Sequence, residues 1–235
     1  NAQAVYTRSG EVGDWKQLRA LPEPWTMRSG ELNFRLRLTA FKHTGIFPEQ
    51  QANWGWIART MKKGARVLNL FGYTGGATLA CAYSGAAEIV HVDSSKPAVT
   101  WGRENQKLSS LEGAPIRWIV DDAVKFTARE LRRERKYDYI FLDPPAFGRG
   151  PEGEIWKFEE HLPVLLDNCA KLLETRSGAL LLNAYSLGFS ALAIENLVRA
   201  ALPFAGEIES VELTLAETTA RRFLLPAGVA VRAKW

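Results

Sequence analysis

Cysteine and histidine are scarce in this chain of 235 residues: the cysteines are Cys81 and Cys169, and the histidines are His43, His91 and His161. Two cysteines in helix-like apolar patterns make no disulfide framework, and scattered histidines give no zinc-ligand spacing, so no metal is expected. Long apolar runs are missing too. None reaches the roughly 18–20 residues needed to cross a bilayer. The first residues carry neither a basic start nor a hydrophobic signal segment. A soluble, cytoplasmic protein with two reduced core cysteines is expected, as monomer or homodimer. Internal repeats and low-complexity segments are also absent.

What is present suits one α/β domain with a small appendage: 46% of residues are hydrophobic and 24% charged. The net charge is +4 and the pI is near 9.1. Up to residue 65 there are ten basic and five acidic residues, so the excess lies in the first quarter and hints at a polyanionic partner. Arg132-Arg133-Glu134-Arg135-Lys136 is a second basic run, best read as a solvated helix end.

Residues 1–50 read as a small β-rich appendage. Glu31 to Leu38 alternates apolar and polar residues like a half-exposed strand, with Arg35 and Arg37 on the polar face. A short helix is expected over 53–63. From Arg66, strands (66–70, 88–92, 115–120, 137–142, 179–185) alternate with helices (75–83, 96–109, 122–134, 158–174, 189–201), which implies a parallel sheet. Two further strands are expected at 207–215 and 228–235. The larger unit therefore covers 51–235.

Two motifs leave the carboxyl ends of strands, where an open α/β sheet forms its ligand crevice. The first is Phe71-Gly72-Tyr73-Thr74-Gly75-Gly76. Its glycines allow a tight turn close to a ligand, and the following helix offers free N–H groups and a positive dipole end. Its Gly-x-x-Gly-Gly spacing is not the Gly-x-Gly-x-x-Gly of nicotinamide binders. Asp93, about 20 residues on, suits the two hydroxyls of a cofactor ribose, with Ser94 beside it; the competing role for Asp93 is a helix cap. Asp121 and Asp122 end the third strand and could each cap the next helix. The second motif, Asp143-Pro144-Pro145-Ala146-Phe147, is the most specific. Two prolines fix φ and remove two donors, which leaves an acceptor-rich corner with Asp143. Phe147 can stack on a flat base.

Taken together, these residues resemble the bacterial 23S ribosomal RNA methyltransferases, a group of class I enzymes that includes cytosine carbon-5 and guanine ring-nitrogen members. His43-Thr44-Gly45-Ile46-Phe47-Pro48-Glu49-Gln50 is similar to their segment ahead of the cofactor fold. The resemblance implies a Rossmann-like α/β fold with a seven-stranded, mainly parallel sheet that ends in an antiparallel pair. It implies S-adenosylmethionine as cofactor and RNA, ribosomal RNA above all, as partner. It places Gln50, Phe71, Gly72, Tyr73, Thr74, Gly75, Asp93, Ser94, Asp122 and Asp143 around the cofactor, Asp122 at the adenine amino group. Asp143, Pro144, Pro145 and Phe147 would face the acceptor.

One departure bears on the chemistry. The cytosine enzymes carry Ser-Cys after the fifth strand, and their thiolate attacks the ring. This chain reads Leu182-Asn183-Ala184-Tyr185-Ser186 there, and Cys169 falls in the preceding helix. Direct methyl transfer to a nucleobase nitrogen, guanine favoured, is therefore the expected reaction. The rivals are N-methylation of a protein amide or small molecule, and a non-enzymatic cofactor-binding subunit.

Overall fold

The protein is described by a computed structural model. It covers residues 2–9, 12–39, 42–185 and 188–235. Two antiparallel hairpins come first: β1 (Ala4–Ser9) with β2 (Val12–Gln17), then β3 (Thr26–Ser29) with β4 (Leu32–Arg35). A 3-10 turn over Pro48–Gln50 leads into α1 (Gln51–Thr60). The alternating part follows as β5 (Arg66–Leu70), α2 (Gly76–Tyr83), β6 (Glu88–Asp93), α3 (Lys96–Leu108), β7 (Ile116–Val120), α4 (Ala123–Arg132) and β8 (Tyr139–Leu142). A small hairpin of β9 (Phe147–Arg149) and β10 (Ile155–Lys157) interrupts it. Then come α5 (Phe158–Leu172), β11 (Ala179–Ala184), α6 (Ala191–Ala201), β12 (Glu207–Ala216) and β13 (Leu224–Lys234).

Seven strands form one sheet in the order β12-β13-β11-β8-β5-β6-β7. β13 runs antiparallel to both β11 and β12, and the other pairs are parallel. This is the expected Rossmann-like sheet. Helices cover both faces, so its central strands read as nearly unbroken apolar runs; every residue of β8 and of β11 is buried. Alternate residues feed two clusters. Leu68, Leu70, Ile140 and Leu142 pack with α5, while Val67, Tyr139 and Phe141 pack with α1 and α2.

The chain passes from β5 outward to β7, then returns to lay β8 on the other side of β5. That reversal opens a crevice at the carboxyl ends of β5 and β8, where both motifs begin. Helix starts follow local chemistry: Ser95 caps α3, Asp122 caps α4 and Ser190 caps α6.

The hairpins differ in detail from the sequence reading. The alternating run over 31–38 forms a strand only through Arg35, and Val12–Gln17 is a strand although its surroundings are rich in turn residues. β13 begins at Leu224 rather than 228. β4 is tied to the main sheet's helices: Phe34 is fully buried in the cluster of Trp54 and Val67, and Asn105 Oδ1 accepts from Arg35 N at 2.8 Å. Arg37 is exposed; it pairs with Glu104 and lies over Trp101. The basic run after α4 is likewise engaged: Arg133 meets Glu130, Arg135 meets Glu88, and Lys136 donates to the Lys171 carbonyl.

Candidate functional site

The turn after β5 has an alternating backbone. Phe71, Tyr73 and Gly75 all have positive φ, at 54°, 49° and 90°. Two non-glycine residues in the left-handed region store strain of about 1–3 kcal/mol each, a cost met mostly at functional turns. The contacts that hold them are specific. Gly72 N donates to Val92 O at 3.0 Å, Tyr73 N to Asp93 Oδ2 at 2.7 Å, and Gly75 N to Gly72 O at 2.9 Å. Gly72 also has no room for a side chain, because a Cβ there would lie 2.3 Å from the His91 ring. Burial pushes the His91 imidazole down to about 3, so it is a neutral packing element under the turn.

Thr74 is a joint between this turn and the segment before α1. Its Oγ1 donates to Gly45 O at 2.7 Å, and its carbonyl accepts from Asn105 Nδ2 at 3.0 Å. Ile46, Phe47 and Gln50 from that segment then line a cavity together with Phe71, Gly72, Tyr73, Thr74 and Asp143. Gln50 is buried in its wall and bonded to Tyr185 and Asn53.

Phe71 also borders a second cleft, with Asp93, Ser94, Asp121, Asp122, Pro145, Arg149 and Trp156. Asp93 is not the cap of α3; Ser95 fills that place by accepting from Ala98 N. The Asp93 oxygens, at the wall of this cleft, accept from Tyr73 N and Ser95 N and keep further lone pairs that a diol could use. Burial pushes the pKa of its carboxyl up, and the two backbone bonds pull it back. Asp122 Oδ1 caps α4 by accepting from Lys125 N at 2.8 Å, and Asp121 is paired with Arg129.

At the second motif, Asp143 N donates to Leu70 O at 3.3 Å, which ties the corner to β5. Pro144 is buried and Pro145 exposed. The Pro145 carbonyl accepts from Trp156 Nε1 at 2.7 Å, so the β9–β10 hairpin closes back on the corner. Trp156 is itself buried, with its ring 4.9 Å from that of Phe71. Ile155–Lys157 is the second strand of this hairpin. Phe147 is 56% exposed on β9, at the rim rather than among the residues that line either space.

Asp143 has an unusual carboxyl. Its Oδ1 is buried without a partner. Burial pushes the group up to about 7, Asn183 bonding opposes that, and Glu49 and Asp93 add to it. A buried carboxylate among other carboxylates suits a cationic ligand. The two cysteines are elsewhere: both are fully buried in the core, and burial pushes both thiols up.

Several wall residues were not among the expected site residues, among them Phe34, Asn53, Asn69 and Asn183. A signal existed for two of them. Asn69 and Asn183 are polar residues inside otherwise apolar strands, and a buried polar group is more informative than a buried apolar one. Asn53 and Phe34 carry no such signal. Ser186 lies outside the described residues.

Comparison with known proteins agrees with this geometry. The model of a family described as S-adenosylmethionine-dependent methyltransferase matches residues 3–184. A protein of Syntrophotalea carbinolica named ribosomal RNA large subunit methyltransferase K/L is 31% identical over 196 residues, which are 80% of this chain and 27% of that protein. Its namesake in Shewanella frigidimarina is 33% identical over 141 residues, 60% of this chain and 19% of that one. The chain thus spans about a quarter or less of these curated relatives. A crystal structure of a SAM-dependent methyltransferase from Agrobacterium tumefaciens superposes with a TM-score of 0.93 at 42% identity, covering all of this chain and 77% of that one.

Proposed function

Because this chain belongs to the S-adenosylmethionine-dependent methyltransferase family, we propose that it methylates a nucleobase nitrogen, guanine favoured, in ribosomal RNA by direct in-line transfer. The residues present fit the cofactor. Asp93 offers acceptors for ribose hydroxyls, with Ser94 and Asp122 along the same cleft toward the adenine side. The free N–H groups that begin α2, together with Gly72 to Gly75, suit a carboxylate. The buried carboxyl of Asp143 suits a positive charge. Bound there, S-adenosylmethionine supplies an activated methyl group.

The protein's own contribution is alignment and water exclusion, which can be worth up to about 7–11 kcal/mol. The observation that carries the reading is the partnerless Asp143 Oδ1 at the cavity wall, next to the turn. It is an acceptor without a donor, and a base N–H would satisfy it. The Pro144–Pro145 corner holds it rigidly, and Phe147 at the rim offers a ring for an unstacked base. A covalent route through ring carbon 6 needs a thiolate, and among the described residues both thiols are in the core. The relatives' names and the basic first quarter support RNA as substrate.

The test is incubation with methyl-labelled S-adenosylmethionine and unmodified large-subunit ribosomal RNA, then digestion to nucleosides. Labelled guanosine is the expected product. Labelled 5-methylcytidine would refute the nitrogen route, and label in protein or small molecules alone would refute RNA.

A further inference from the structure

Arg232 lies on β13, remote in sequence from every motif that pointed to the site. Its side chain is 11% exposed and its guanidinium is 5.7 Å from the Trp56 ring. Nε and Nη2 both donate to one atom, Asn53 Oδ1, at 3.2 and 2.8 Å. A guanidinium has donors only. The Asn53 amide is therefore locked with its oxygen toward Arg232 and its nitrogen away from it.

That nitrogen donates at 2.9 Å to both Asn183 Oδ1 and Gln50 Oε1. Each of those amides is locked in turn, with its oxygen engaged and its NH2 facing onward. Gln50 Nε2 donates to the Tyr185 hydroxyl, and Asn183, whose Nδ2 is not used by Asn53, stands beside Asp143 at the end of the β8–β11 pairing and on the same cavity wall. One donor-only cation thus sets the direction of every bond in a buried network, and N–H groups emerge at the site.

We propose that Arg232 is a positioning residue for Asp143, acting through Asn53 and Asn183 to keep an N–H aimed at the carboxylate. The inference rests on the cofactor-side role given to Asp143 above. The charged groups that face Asp143 are Glu49 from the 3-10 turn and Asp93 from β6, with the Tyr185 hydroxyl at the end of β11 and Tyr73 on the cavity wall. All of these oppose its negative charge or leave it unaided. An arginine placed directly on Asp143 would neutralise it and repel a sulfonium. Two intervening amides deliver a donor to the carboxylate and keep the cation at a distance.

The competing role for Arg232 is plain attachment of β13 to α1, through Trp56 and the Glu209 pair at 3.7 Å. Calorimetric titration of the whole chain with S-adenosylmethionine from pH 5.5 to 8.5 separates the two, with thermal melting to score folding. In the wild type, affinity rises with pH and levels off near 7. Asn183→Leu and Arg232→Met each move that midpoint upward by roughly one to two pH units, the size of one lost hydrogen bond to a charged group. Arg232→Lys keeps a donor-only cation and stays near the wild type. The double variant shifts no further than Asn183→Leu alone, because both act on one path. If Arg232→Met does not fold, Arg232→Gln, whose amide can turn either way, carries the same expectation. A wild-type midpoint in the folded Arg232 variants, or additive shifts in the double variant, would overturn the proposal. A wild-type affinity flat in pH would instead strike the role of Asp143 itself.

Discussion

Replacing Asp143 by asparagine should make the protein more stable and a poorer binder of its cofactor, and the stability gain should depend on pH. Burial lifts the Asp143 carboxyl from 3.8 to about 7. That is about three units, or ~4 kcal/mol at 1.36 kcal/mol per unit. The sign follows from which state holds the proton more tightly. The folded protein does, so there is no penalty below about pH 4. Stability is lost as pH rises from about 4 to 7, and it stays lost above. An uncharged amide at this position has no such penalty. Thermal melts without cofactor should therefore show Asp143→Asn ahead of the wild type by ~2–4 kcal/mol at pH 8, with the gain about 2 kcal/mol smaller at pH 5.5. For a chain of this size that is several degrees in Tm. His91 adds an opposite slope: its depressed value means stability is lost as pH falls below about 6.5 toward 3. Both proteins carry His91, so comparing them at each pH isolates Asp143. The same variant should bind S-adenosylmethionine about 10–100-fold more weakly at pH 8, the loss of one charge-assisted contact. A variant no more stable than the wild type at pH 8, or equally stabilised at both pH values, would refute the argument.

Three further outcomes follow from the same geometry. Gly72→Ala puts a Cβ 2.3 Å from the His91 ring, so it should lower stability by about 1–3 kcal/mol and weaken cofactor binding through the displaced turn; melting and calorimetry check both. Asp93→Ala removes the acceptor of Tyr73 N and Ser95 N as well as the proposed ribose contact, and should weaken S-adenosylmethionine binding by roughly 10–100-fold in a titration. Cys169→Ala and Cys81→Ala should leave the identity of the methylated nucleoside unchanged in the labelling assay, since neither thiol leaves the core.

The sheet was legible because its strands are bounded apolar runs and its helices carry matching periodicity. Arg66–Leu70, Glu88–Asp93 and Ala179–Ala184 were each expected within a residue or two of where they form. The N-terminal hairpins were less legible. Val12–Gln17 contains Gly13 and Asp14, which locally favour turns, and the strand pairing with Ala4–Ser9 overrides them. The β9–β10 hairpin was missed because two three-residue strands carry no periodic signal; the indole bond from Trp156 to Pro145 reveals it only in three dimensions.

For the site, local order along the chain determined the two motifs, since a strand end, a glycine turn and an Asp-Pro-Pro corner are each short-range features. It also determined that Asp93 follows at the spacing of the next strand. What tertiary structure alone decided is how these ends meet and what surrounds them. The sheet reversal at β5 brings residues 71–75 and 143–145 to one crevice. Burial then changes the chemistry of Asp143, because a carboxyl's proton affinity depends on lost water and on neighbours from other elements, Glu49, Asp93 and Asn183. The Arg232–Asn53–Asn183 path has the same origin. Its members are separated by 130 and 179 positions in the chain, and only packing of α1 against β11 and β13 makes them hydrogen-bond partners.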